Sequence, residues 1–150
     1  MHRFSDFWLG IRSIVRLYEK MMKEVCNSYQ LSMVEVDIIA FLKNHPEKDT
    51  AADIVELRML SKAAVSKGVD YLIQKGLLER EPDQKDRRKV HLKLKQKAEP
   101  VMKDIQRVQE NFADLLFEGF GESDYSTYFE LRKRILSNVK SGEESGHIYE

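Results

Sequence analysis

The sequence predicts a mainly α-helical protein with one small β-hairpin, an α+β fold in which strands are the minor part. Three observations predict it. Apolar residues recur at steps of three and four along most of the chain. One short stretch alternates instead, with Val90, Leu92 and Leu94 on one side and Lys89, His91, Lys93 and Lys95 on the other. Serine, threonine and glycine stand where helices would start and stop.

The elements follow in order. Residues 4–29 place Phe4, Phe7, Trp8, Ile11, Ile14, Val15, Tyr18, Met21, Met22 and Val25 on one helical stripe, opposite Arg12, Arg16, Glu19, Lys20 and Lys23. Ser32-Met33-Val34-Glu35 is a capping box that starts a second helix, ending near Asn44 before His45-Pro46. That helix is apolar nearly all round, which predicts burial. Asp49 or Thr50 can cap a short third helix over residues 51–58. Ser61 caps a fourth, whose inner face carries Val65, Val69 and Leu72 and which Gly76 closes.

Two strands are expected at residues 77–81 and 89–94, joined by the polar turn Pro82-Asp83-Gln84-Lys85-Asp86-Arg87-Arg88. From residue 97 to about 118 the steps Val101, Ile105, Val108, Phe112 and Leu115 form a heptad seam. Gly119 and Gly121 break it. A last helix over residues 123–139 is expected to bury Tyr128, Leu131, Ile135 and Val139. The tail 141–150 is expected to be disordered.

A chain of 150 residues is one domain's worth, with 42% apolar and 33% charged residues. The reading is a single domain over residues 1–150: a lobe at about 32–96, flanked by dimerisation helices at about 4–29 and 97–139. Net charge is zero, yet residues 58–97 hold twelve Lys and Arg against five acids, leaving the rest of the chain net acidic. Such asymmetry suits one phosphate-facing surface, though a solvated charged face would produce it too.

Other classes find less support. Cys26 is the one cysteine, so no intrachain disulfide forms. The N-terminus lacks a signal peptide's apolar core, and the longest apolar run, residues 38–42, is too short to cross a bilayer, so a cytoplasmic protein is expected. His2, His45, His91 and His147 show no metal-ligand spacing, and no phosphate loop or nucleophile motif occurs. The expectation is neither enzyme nor metal site, and no cofactor.

Three helices followed by two strands, with a tight bend between the last two helices, make a winged helix-turn-helix. Its second helix of the pair enters a major groove by its N-terminal end. Small or polar residues are needed there, and Ser61, Lys62, Ala63, Ala64, Ser66 and Lys67 supply them. Hydroxyls and ammonium groups can meet phosphate or base edges, and alanines a thymine methyl. At the hairpin tip stand Lys85, Asp86, Arg87, Arg88 and Lys89, which no core requires. An arginine on a thin hairpin can reach a minor groove, and Asp83 and Asp86 are placed to pair with neighbouring arginines and aim them.

With these residues in view, the stretch 54–98 resembles the MarR family of bacterial transcriptional regulators. The resemblance is carried by Asp53-Ile54-Val55-Glu56, Leu60-Ser61-Lys62-Ala63-Ala64-Val65-Ser66, Leu72, Lys75-Gly76-Leu77-Leu78, Asp83, Asp86-Arg87-Arg88 and Leu92-Lys93-Leu94. Asp86-x-Arg88 in the wing is its most specific part. The resemblance implies a dimeric winged helix, with residues 61–71 as recognition helix, Arg88 in the minor groove and Asp86 holding it. Met59 stands where the family often has glycine, Arg58 where leucine or a small residue is common, and Leu94-Lys95-Gln96-Lys97-Ala98 replaces the usual Leu-Thr-x-x-Gly.

The expected function is a sequence-specific DNA-binding regulator, a ligand-responsive repressor acting as a homodimer on a pseudo-palindromic operator. The apolar stripe near the N-terminus and the heptad seam exceed what the DNA-binding lobe needs, which is the argument for the dimer. Family members bind small aromatic or anionic effectors, for which Trp8, Arg12, Arg16 and Tyr29 are the candidate pocket residues. Alternatives are a winged-helix protein-interaction module, and a one-cysteine oxidant sensor using Cys26.

Overall fold

Ser32 begins helix α2 (Met33–Asn44) as the sequence predicts: its hydroxyl accepts the Glu35 N–H, and the Glu35 carboxylate accepts the Ser32 N–H. The same reciprocal cap, from Thr50 and Asp53, starts α3 (Ala51–Arg58). Ser61 caps α4 (Lys62–Gln74) through the Ala64 N–H at 3.1 Å. The computed structural model describes residues 3–146 and adds helix α1 (Arg3–Tyr29) before these. After them come strands β1 (Leu78–Pro82) and β2 (Val90–Leu94), helix α5 (Glu99–Leu116) and helix α6 (Glu122–Glu144). Among the described residues no helix is long and apolar enough to cross a membrane.

The core is built around α2. Val36, Ile38, Ile39, Phe41 and Leu42 are buried there, together with Met22 and Val25 of α1, Ile54 of α3, Val65, Val69 and Leu72 of α4, and Val101, Ile105 and Val108 of α5. The strands are antiparallel, with Leu78 opposite Leu94, Arg80 opposite Leu92 and Pro82 opposite Val90. Leu78 and Leu92 pin this hairpin to the core. Gly76 ends α4 with φ +73°, and Leu77 N–H donates to the Leu72 carbonyl at 3.0 Å, the left-handed stop that the sequence indicates.

The three departures from the family pattern have structural correlates. Met59 ends α3 in the left-handed region, φ 53° and ψ 34°, the conformation glycine adopts freely. Arg58 reaches Asp37 of α2 at 2.7 Å and so ties α3 to the core helix. Lys95 supplies no side-chain cap, and the chain enters α5 through a 3-10 turn, Gln96–Ala98, with Ala98 fully buried.

The chain divides into one compact unit ending at Phe112 and a second beginning at Ala113. In the first, α1 is split. Its second half packs through Met22, Val25 and Cys26, while Phe4, Phe7, Trp8, Ile11, Ile14 and Val15 are exposed. The heptad seam is split as well: Val101, Ile105 and Val108 are buried, and Phe112 packs edge-on against the Tyr18 ring. Leu115, in the second unit, is exposed.

The second unit departs further from expectation. Tyr128, Leu131, Ile135 and Val139 lie on α6, but they are 39–52% exposed rather than buried, and no described α6 residue is buried in the single chain. Helical spacing marks an apolar face; it does not say whether the same chain covers it. The stretch from 141 is not all disordered: α6 runs on to Glu144, with a Lys140–Glu144 pair one turn apart, and stops at Gly146, φ +69°. Residues 147–150 of the expected disordered tail lie outside the described residues.

Candidate nucleic-acid interface

A short helix that ends in a left-handed residue turns the chain within three positions. Met59, Leu60 and Ser61 make that bend between α3 and α4. The apolar face of α4 goes inward, and Gly68 lets its backbone come close to α2. The opposite face is left to solvent. Ser61, Lys62, Ala63, Ser66 and Lys67 are exposed there and Ala64 is half-buried, so the six predicted residues share one end of one helix. Of the N–H groups at that end that lack a backbone partner in the helix, Ser61 Oγ takes that of Ala64, and the others add partial positive charge to the two lysines. Arg80 of β1 pairs with Asp70 on the same side at 2.6 Å.

The second predicted group occupies the turn between β1 and β2. Asp83 N–H donates to the Lys89 carbonyl, and Lys89 N–H to that of Asp86, which closes the loop. Asp83 Oδ2 accepts the N–H groups of Lys85 and Asp86 at 3.0 and 2.8 Å. Asp86 Oδ1 accepts the Arg88 N–H at 3.0 Å. These are local aspartate turns that fix backbone without any core. Lys85, Asp86, Arg87, Arg88 and Lys89 are all exposed at the tip.

Arg88 is 94% exposed along its side chain, and its Nε stands 3.6 Å from Asp86 Oδ1. That distance is an ion pair rather than a hydrogen bond. Asp86 therefore holds Arg88 chiefly by its backbone and biases its guanidinium by charge. Asp83 differs from expectation: it pairs with no arginine. Its other oxygen meets His91 Nε2 at 2.7 Å.

His91 is the residue that sequence reasoning missed. Its Nδ1 lies 2.6 Å from Asp49 Oδ1, on the loop before α3, while Lys93 Nζ donates to Asp49 Oδ2 at 2.9 Å. The hydrogen bonds to Asp49 and to Asp83 hold the imidazole pKa above its usual value. His91 and the wing amides hold Asp83 down to about 2. Burial pushes Asp49 up, but His91 and Lys93 outweigh it and leave the carboxyl below its usual range. Among the described residues no group of three or more His, Cys, Asp and Glu is arranged to hold a metal.

The four candidate effector residues are not gathered into one site within the chain. Trp8 and Tyr29 lie on the same helix, and 21 residues at 1.5 Å each set them roughly 32 Å apart. Arg12 and Arg16 share a surface groove with Leu9, Val15 and Glu19. Tyr29 is engaged elsewhere, its hydroxyl donating to Asp104 at 2.7 Å. A cleft of about 440 Å³ opens instead between α3, α4 and the hairpin, where Val55, Lys62, Ser66, Arg80 and Leu92 meet. Cys26 is buried, and burial pushes its thiol pKa up, away from the reactive thiolate.

Comparison with known proteins bears on this geometry. The family model described as MarR family matches residues 29–89. The HTH-type transcriptional regulator PecS of Dickeya dadantii (strain 3937) is 32% identical over 80 residues, a match covering 52% of this chain and 48% of PecS. The chain thus spans about half the length of that curated relative. Among solved structures, transcriptional regulator PA3341 superposes with TM-score 0.79 at 21% identity, covering 90% of this chain and 98% of that one. The S. aureus MepR–DNA complex superposes at 0.75 and 15% identity, covering 93% and 99%. At such identities these two show a shared fold.

Proposed function

We propose, from the match of residues 29–89 to the MarR family model and the likeness to PecS, that this chain is a sequence-specific DNA-binding transcriptional regulator of that family, a ligand-responsive repressor acting as a homodimer. The observation that carries the reading is the pairing of two exposed elements whose basic side chains hold up no part of the core. One is the exposed N-terminal end of α4, and the other the Asp86-braced Arg88 at the hairpin tip. A major groove accepts the first, and the minor groove or backbone beside it accepts the second. One solved structure that shares this fold, S. aureus MepR, is a complex with DNA. Binding, not catalysis, is then the activity, in whichever compartment holds the DNA; for a bacterial regulator that is the cytoplasm.

The dimer rests on the exposed apolar faces of α1 and α6. Trp8, Ile11, Ile14 and Val15 on the first, and Leu131, Ile135, Leu136 and Val139 on the second, are 37–53% exposed in one chain. Patches of this kind mark association surfaces. Two recognition helices about 34 Å apart would then meet successive major grooves on one face of the duplex.

The test is a mobility shift on promoter DNA flanking the gene, with salt titration. Each phosphate contact contributes about 0.9 to the log–log salt slope. Arg88→Ala is expected to weaken binding with the protein still folded, and unchanged affinity would remove the wing from the interface. A parent protein that bound acidic protein partners but no duplex would favour the protein-interaction module instead.

A further inference from the structure

We propose that His91 is the positioning residue of the wing: its doubly protonated ring ties the hairpin turn to the start of α3, and loss of one proton releases the turn. The argument is one of donors and acceptors. An ionised carboxylate only accepts hydrogen bonds, and an imidazole donates from both nitrogens only as the cation. His91 faces a carboxylate oxygen at each nitrogen, Asp49 at 2.6 Å and Asp83 at 2.7 Å. A neutral ring would turn a lone pair on one of them at hydrogen-bonding distance, and that contact must open.

The bridge joins two functional segments. Asp49 precedes Thr50, the cap of α3, and its carbonyl accepts the Leu92 N–H at 2.7 Å. On the other side Asp83 organises the wing through the Lys85 and Asp86 amides, and Asp86 in turn fixes Arg88. Asp49 keeps Lys93 and the Leu92 amide when the ring deprotonates, whereas beyond His91 the Asp83 carboxylate holds only amides of its own turn. The Asp83 contact is therefore the one that opens.

Around the ring, acids outnumber bases. Asp49 comes from the α2–α3 loop, Glu81 from the strand position opposite His91, and Asp83 from the turn. Lys93 on β2 and Lys85 in the turn are the bases lining the same recess. Three acids against two bases leave one negative charge, which the imidazolium cancels. In linkage terms, a raised histidine pKa stabilises the tied wing fully below the unfolded value of about 6.5. The tie is lost as pH rises through the folded value. Acid loss comes only far lower, as Asp83 is protonated near its value of about 2.

The consequence for DNA rests on the proposed function: an untied wing presents Arg88 less well, so affinity falls with rising pH. The experiment separates the two claims. Amide NMR of the full chain from about pH 5.5 to about pH 8.5, the span where histidine titrates, reads Lys85 and Asp86 directly. A fluorescein-labelled A·T-rich duplex, long enough for two half-sites, reads affinity by anisotropy at constant ionic strength. The Lys85 and Asp86 amides of the parent are expected to follow the His91 titration, and affinity to fall several-fold. His91→Gln should flatten both profiles. Asp83→Asn should keep the wing tied at high pH, since its amide can donate to the neutral ring while its oxygen still accepts the two backbone groups. Wing amides indifferent to His91 titration, or a parental pH profile surviving in His91→Gln, would overturn the proposal. Amides that follow His91 in a protein that binds no duplex at any pH would uphold the tie and overturn the DNA-binding reading.

Discussion

Gly68 gives a prediction that the geometry makes quantitative. It sits on the buried face of α4, and a Cβ added there would stand 2.7 Å from Ile38 Cδ1 and 3.4 Å from Val34 Cγ1. Carbon atoms pack comfortably at about 3.5–4.0 Å, so Ile38 must retreat by about 1 Å. Ile38 is fully buried in α2 and has no solvent to retreat into. Overpacking of this kind costs about 1–3 kcal/mol. Alanine also favours the helix over glycine by about 1 kcal/mol. Gly68→Ala should therefore lose about 0–2 kcal/mol net. Ile38→Val alone removes the clashing methyl and should lose about 1 kcal/mol as a cavity. Together the two changes remove the clash, let the new methyl fill part of the void, and keep the propensity gain. The double variant should return close to the parent, a coupling of about 1–3 kcal/mol. Urea unfolding followed by circular dichroism, at one protein concentration because association shifts apparent stability, measures all four proteins. Losses that simply add to within about 0.5 kcal/mol would refute the close approach of α4 to α2.

Three further outcomes follow from single residues. Met59→Gly should raise stability by about 0.5–1 kcal/mol, because relief of left-handed strain of about 1–2 kcal/mol exceeds glycine's entropy cost; thermal melts should show no such gain for Met59→Ala. Ser61→Ala should cost about 1 kcal/mol by removing the Ala64 cap, whereas Ser61→Asp keeps the cap and favours the helix start. On the proposed function, Ser61→Asp should still weaken DNA binding, by placing a carboxylate against phosphate, which separates stability from affinity in one position. On the proposed homodimer, Ile135→Asp, on the exposed face of α6, should leave the fold's circular dichroism unchanged while sedimentation shows self-association lost.

The residues behind these predictions divide by how far their partners lie along the chain. Ser32, Thr50, Ser61 and Gly76 act on groups three to five positions away, so their caps and stops are legible in sequence. So is the wing, whose turn is closed by Asp83 and Asp86 on their own neighbours. Met59 is visible in sequence as an oddity, a residue standing where the family it resembles often has glycine, but only the backbone shows that it takes the glycine conformation. Asp83 marks where local reading fails. Its nearest cations in sequence are lysine and arginine, which suggested an arginine partner. Pairing of β1 with β2 brings His91 back beside it, while Asp49 arrives from 42 residues upstream. Nothing in the period of either segment encodes that meeting. The α6 face fails for a different reason. Its apolar spacing was read correctly, yet a period reports which side of a helix avoids water, and the identity of the cover belongs to whatever it packs against. On the proposed homodimer, the least legible part of the fold is therefore the part whose partner is not further along the same sequence.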